Sequence, residues 1–203
     1  NIIDEHGWML IHDMASTSNK SLIARLKWIE KALQGVVNIK EFNLSEPDEN
    51  GRRHLTARFQ HWRKNNAEQD EHEFSDGTLR LIGLLWSLVD GNGLLLLEEP
   101  EIHLHSHLVR QIPAMIHKLQ TQNRRQVIVS SHSEQLLYHS GQIGLEEIFL
   151  ITPSDKGGSE IRSAASFESI HPLVENGLDY VDFLMEKTKP EAPDAITQFL
   201  PFK

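Results

Sequence analysis

Residues 94–105 read Leu-Leu-Leu-Leu-Glu-Glu-Pro-Glu-Ile-His-Leu-His, so that Glu98 and Glu99 stand where four aliphatic residues give way to a proline. Adjacent carboxylates at the end of an apolar run repel one another and lose hydration, an arrangement that makes chemical sense when a cation or a reacting water is held between them. Mg2+ with nucleotide phosphates is the natural candidate. The run 94–97 is short, follows Gly91 and Gly93 and stops at Pro100, which predicts a buried strand of a parallel sheet. Ligands of open α/β sheets gather at the carboxyl ends of such strands. Taken alone, the two acids could instead end a strand at the surface, which is the less favoured reading.

Two further segments could carry chemistry. Upstream, Phe74-Ser75-Asp76-Gly77-Thr78 precedes Leu79, Ile82, Leu85, Trp86 and Val89, apolar residues at helical spacing, with Ser75 in the capping position. Free backbone N–H groups, a hydroxyl and the helix dipole make such a terminus a phosphate-binding device. The charge of Asp76 opposes that reading, and in isolation Ser-Asp-Gly is a plain helix cap. Downstream, residues 126–133 (Gln-Val-Ile-Val-Ser-Ser-His-Ser) predict a second short β-branched strand ending in hydroxyls and a histidine. If it pairs in parallel with the first, His132 emerges at the same edge as Glu98 and Glu99, where it could hydrogen-bond a phosphate oxygen or an attacking water. The chain has 12 histidines, and most of them need no such role.

The order Ser75-Asp76-Gly77, then residues 94–99, then His105, then His132 resembles the carboxyl-terminal half of an ABC-type ATPase head, in a region running from about Phe74 to Ile151. Among such heads it is most similar to the non-transporter group with RecF-like and structural-maintenance-of-chromosomes-like members, the AAA-family ATP-binding proteins. The resemblance implies a P-loop NTPase α/β fold with parallel core strands, flanking helices and an amino-terminal helix plus β-hairpin. It assigns Ser75, Asp76 and Gly77 to the signature motif, Glu98 and Glu99 to Walker B, residues 101–105 with Glu101 and His105 to the D-loop at a dimer seam, and His132 to the switch histidine. It further implies ATP and Mg2+ as cofactors, Glu98 on the metal through water, Glu99 as base, His132 at the γ-phosphate, and a homodimer that sandwiches nucleotide and uses the signature in trans. Phage defence or DNA maintenance is the role it suggests, with an effector protein or DNA as further partner.

Two departures stand out within the motifs. The first Walker B acid is Glu98 where aspartate is usual, and the signature has Asp76 in place of its second small residue; both variants fit the subgroup. A larger departure is that no Gly-x-x-x-x-Gly-Lys-Ser/Thr occurs in the chain. The nearest candidate, Asn19-Lys20-Ser21, has Met14 and Asn19 where the glycines belong, and only glycines let successive N–H groups curl around phosphate oxygens. Asn19 is therefore expected to open a helix, and Asn1 to be an internal starting point or the P-loop lobe to lie on another chain. Such a chain would hydrolyse ATP only when that lobe completes it. Two alternatives stay open: a nucleotide-gated assembly module without significant turnover, and the ATPase part of an overcoming-lysogenization-defect-type nuclease, although nothing after Ile151 shows the acidic pattern of the nuclease domain.

The elements that must position these residues are readable. Ser16 to Ser18 can cap a helix to about Leu33, with Leu22, Ile23, Leu26, Ile29 and Leu33 inward. Residues 36–44 and 55–62 alternate as strands of a hairpin around the turn 46–51, and 65–73 reads as a loop. Residues 105–119 predict a helix kinked by Pro113. Strands at 148–152 and 159–165 flank 153–158, two helical pieces between 167 and 185 break at Gly177, and the tail 190–203 is extended. Organisation follows as 1–73 (helix and hairpin), 74–165 (signature, Walker B and switch core) and 166–203 (helical segment and tail).

With 203 residues and 39% hydrophobic content, the chain suits one medium domain or a fragment of one. It has no cysteine, which excludes disulfides and Cys-based zinc sites. No apolar run approaches the ~18 residues of a membrane span, and no signal-peptide pattern opens the chain, so no membrane partner and a cytoplasmic location are expected. A net charge of −9 gives no overall electrostatic footprint for nucleic acid. Local basic groups exist at Arg52, Arg53, Arg58, Arg63 and Lys64 and at Arg124 and Arg125, where solvated faces are the simpler expectation. His103, His105 and His107 alternate, but a loop running into a helix makes alternate side chains diverge, which argues against zinc there.

Overall fold

The computed structural model describes residues 8–37, 39–59, 68–138, 143–154 and 157–189, and these cluster into two compact units, Asn1–His132 and Ser133–Lys203. The predicted strand end at 60–62, Arg63, Lys64 and the tail 190–203 lie outside the described residues. Among the described residues no helix is long and apolar enough to cross a membrane.

The first unit opens with helices α1 (Trp8–Ser16) and α2 (Asn19–Leu33). Asn19 thus begins a helix after Ser18, as its sequence predicts. Leu22, Leu26, Ile29 and Leu33 are buried, whereas Ile23 is exposed, because the i, i+4, i+7 stripe leaves it off the inward face. The hairpin follows as β1 (Ile39–Leu44) and β2 (Leu55–Phe59), paired antiparallel. A third strand, β3 (Glu68–Asp70), pairs with β2, so part of the predicted loop is an edge strand that bonds through its backbone without apolar alternation.

Glu71 follows in a 3-10 turn, its side chain buried under the hairpin. One carboxylate oxygen accepts the N–H of Leu55 at 2.8 Å and the other lies 2.8 Å from His54 Nδ1, which fixes the start of β2 to the turn. Helix α3 (Asp76–Val89) then runs through the core, with Ile82, Leu85 and Trp86 buried beside Leu10, Met14, Ile29 and Leu55.

Strand β4 (Leu95–Glu98) pairs in parallel with β5 (Val127–Ser130), Leu95 opposite Val127 and Glu98 opposite Ser130. The expected parallel core is present, but β4 is not buried on both sides. Strand alternation turns Leu95 inward and leaves Leu96 and Ile128 more than half exposed on the other face.

Between these strands lie α4 (Ser106–Val109) and α5 (Ile112–Asn123). The single kinked helix expected over 105–119 is therefore two helices. Pro113 sits in the first turn of α5, where its missing N–H costs no intrahelical bond and its fixed φ favours initiation.

Arg125 is buried, and its guanidinium donates to Gly93 O (2.8 Å), Ser87 O (2.6 Å) and Asp90 O (2.5 Å), closing the carboxyl end of α3 onto the start of β4. Arg124 forms the left-handed cap of α5. The solvated-face expectation therefore fails for Arg125. Its charge meets carbonyls that a helix end leaves without intrahelical partners.

The second unit holds the antiparallel pair β6 (Phe149–Pro153) and β7 (Ser159–Ser163), then α6 (His171–Glu175) and α7 (Val181–Thr188). Leu150, Ala164, Ile170 and Leu184 form its core. Gly177, at φ +65°, marks the predicted break between the two helices.

Candidate active site at the strand ends

Parallel pairing decides what meets at the carboxyl edge. The pairing continues one residue past β4, where Glu99 N–H donates to Ser130 O at 2.8 Å. Glu99 then adopts φ +43°, a left-handed conformation that costs a non-glycine residue about 1 kcal/mol and turns the chain sharply into Pro100. Tight turns follow, with Ile102 N–H on Glu99 O (3.2 Å) and Leu104 N–H on Glu101 O (2.9 Å), and His103 takes a second left-handed φ of +64°. Two such residues within five is a concentration of backbone strain typical of functional loops.

The side chains converge accordingly. His132 Nε2 stands 3.6 Å from Glu99 Oε1, with His132 almost fully exposed and Glu99 partly so. Glu98 is exposed at the strand end opposite Ser130. Ser131 Oγ donates a short hydrogen bond to Glu101 Oε1, while Glu101 Oε2 is buried and has no hydrogen-bond partner among the described residues. A buried carboxylate oxygen without a donor is costly and marks a place where a water, cation or incoming donor is accommodated. Glu98, Glu99, Glu101 and His132 are thus brought to one edge.

The Ser-Asp-Gly turn reaches the same loop by another route. Ser75 Oγ accepts the N–H of Thr78 at 3.2 Å and lies 2.9 Å from its hydroxyl, which makes it a working N-cap. Asp76 Oδ2 lies 3.7 Å from His103 Nδ1. A Cβ on Gly77 would fall 2.7 Å from His103 O, so glycine is required here by backbone approach. His105 stands apart from the acids in role: it caps α4, its Nδ1 accepting the N–H of His107 at 3.3 Å.

One residue that the sequence did not single out joins the edge. Arg80 of α3 lines a hollow of about 330 Å3 together with Leu84, Leu96, Glu98, Ile128 and Ser130. Its signal was a lone cation on a helix otherwise rich in leucine, legible only once the strand ends lay beside it.

Residues 17–137, more than half of the chain, match the family described as "AAA domain, putative AbiEii toxin, Type IV TA system". No curated protein matches the chain. The Smc head domain with a coiled coil and joint from Pyrococcus yayanosii is similar in fold, with TM-score 0.52 and 16% identity over 78% of this chain and 30% of that one. A structure from work on ATP-driven dimerization and DNA-stimulated activation of SMC ATPases aligns at TM-score 0.44 and 14% identity, over 77% of this chain and 98% of that one. The chain belongs to the AAA-domain family matched over residues 17–137, as a nucleotide-binding module of ATPase type.

Proposed function

We propose that this chain is the Walker B and signature portion of an ATP-hydrolysing head that works as a nucleotide-sandwiched dimer. The observation that carries the reading is the strand-end geometry: Glu98 lies opposite Ser130, and Glu99 stands 3.6 Å from His132. The donor set fits Mg2+ and phosphate chemistry, because Glu98 is an exposed carboxylate, Glu101 keeps an unsatisfied oxygen nearby and Arg80 lines the adjoining hollow. Bound Mg2+ supplies charge neutralisation of the transferring phosphoryl group. Glu98 would hold its hydration shell, Glu99 would orient and deprotonate the attacking water, and His132 would donate to a γ-phosphate oxygen. Ser75, Asp76 and Gly77, with the N-terminus of α3, would face the nucleotide of a second head, and Glu101 and His105 would lie along the seam between heads.

The chain contains no Gly-x-x-x-x-Gly-Lys-Ser/Thr, so the phosphate loop of each site would come from additional sequence in the same protein or from a partner chain. A role in phage defence fits the toxin and type IV TA vocabulary of the family description. The testing measurement is ATP turnover of the protein supplied with its phosphate loop, parental against Glu99→Gln. Loss of the base should lower turnover by roughly 100-fold or more while nucleotide stays bound. A Glu99→Gln protein that turns over at the parental rate removes Glu99 from the role of base. Tight binding without turnover in the parental protein would favour the assembly-module reading.

A further inference from the structure

We propose that His54 Nδ1, Glu71 Oε1 and His72 Nε2 form a three-ligand site for a transition ion of the Zn2+ class, with the fourth position open to solvent. These three are the set that the described residues bring close enough to hold an ion, their donor atoms all lying within 4.8 Å of one another. Glu71 Oε1 is 2.8 Å from His54 Nδ1 and 3.5 Å from His72 Nε2. Ligand atoms around a tetrahedral Zn2+ are separated by about 3.3 Å, so these two distances straddle the required spacing, and no pair of the donor atoms is more than 4.8 Å apart. Two imidazoles and one carboxylate suit Zn2+ and disfavour Mg2+ or Ca2+, which take oxygen ligands.

The surroundings are those of a held site. Zinc-binding histidines usually pass their second nitrogen to a carboxylate that fixes the ring. His54 Nε2 faces Asp48 Oδ2 at 3.6 Å, and Asp48 Oδ1 is itself anchored by the N–H groups of Asn50 and Arg52, each at 2.8 Å. The other oxygen of Glu71 is tied to Leu55 N–H at 2.8 Å, which leaves Oε1 directed to the histidines. Glu71 is 99% shielded from solvent at its side chain whereas His72 is 46% exposed, so an ion would rest on a buried anion and keep one face open. Bound there, it would clamp the hairpin to the turn immediately before Phe74 and Ser75. This site is independent of the nucleotide reading and shares no residue with it.

Zn2+ itself is the probe, titrated calorimetrically into the full chain after treatment with a chelator and its removal. One ion per chain is expected at a Kd of roughly 1 µM or tighter. His72→Gln, a change at a half-exposed ring, should weaken that affinity by at least about 10-fold, and Asp48→Asn by a similar factor although it removes no ligand. Co2+ substituted for Zn2+ should give the visible absorption of a low-coordinate ion in the parental chain and lose it in His72→Gln. His117→Gln, at an exposed ring on α5, should leave binding unchanged. Equal Zn2+ affinity in the parental, His72→Gln and His54→Gln chains, or no binding tighter than about 100 µM in the parental chain, overturns the proposal.

Discussion

The hydrogen bond between His54 and Glu71 gives the hairpin a pH dependence whose sign follows from the bond. That bond, opposed by partial desolvation and aided by the nearby negative charges, holds the His54 imidazole above the usual histidine range. A raised folded-state pKa means that protonation favours the folded chain. The contribution is therefore fully present below the unfolded value of about 6.5 and is lost as pH rises through the folded value. Asp48 behaves oppositely: the Arg52 N–H above all lowers its pKa, so its contribution is present above the unfolded carboxylate value and lost as acid protonates it. All four tryptophans precede residue 133, so their fluorescence follows the first unit. Urea unfolding read this way, with chelator present, should show stability falling as pH rises above about 6.5, and His54→Gln should flatten that fall. Parallel profiles in the two proteins would show that His54 contributes nothing to it.

Arg125 shows how one buried cation joins elements. Its three carbonyl partners come from the end of α3 and the approach to β4, and the same corner holds Arg25 on Asp90 at 2.5 Å and Trp86 Nε1 on Asp13 at 2.6 Å. Arg125→Met fills similar volume but leaves those carbonyls without a donor, so a loss of about 2–4 kcal/mol is expected in tryptophan-monitored urea unfolding. A change below about 0.5 kcal/mol would mean that water replaces the guanidinium freely. The sequence showed a basic pair before a strand and no sign of what it served, because the carbonyls of an element's end leave no mark in residue types. Elements with a strong period were legible: the Ser75-capped α3, the paired strands β4 and β5, and the hairpin around its Pro-Asp-Glu-Asn-Gly turn. β3 was not, since Glu-Gln-Asp has no apolar alternation and pairs through its backbone. Nor was the His54, Glu71 and His72 cluster, whose members are brought together only by the fold of the hairpin. Glu98, Glu99 and His132 could be placed at one edge in advance because parallel pairing fixes where strand ends emerge. The alternate reason for Gly77, contact with His103 O, needed the loop itself.

At the scale of the whole molecule, the proposed chemistry divides between two copies. Ser75 and Asp76 are exposed at the N-terminus of α3, while Glu99 and His132 meet at the strand ends. In a sandwiched dimer each site would take its acids from one head and its signature from the other. In the protein supplied with its phosphate loop, Ser75→Arg should fill the gap between heads and stop turnover while nucleotide still binds at that loop. It also removes the cap on Thr78, worth about 1 kcal/mol, so Ser75→Asn, which keeps a capping side chain, serves as the control for folding stability alone. Mixing Ser75→Arg with Glu99→Gln protein supplies the decisive arrangement. In a heterodimer one site has both an intact base and an intact signature, and the other has neither. Random pairing with independent sites restores about a quarter of parental turnover from two inactive proteins. Recovery of that kind is not available to heads that complete their sites alone. Ser75→Arg protein that dimerises with ATP and hydrolyses it at the parental rate would refute a signature acting across the interface.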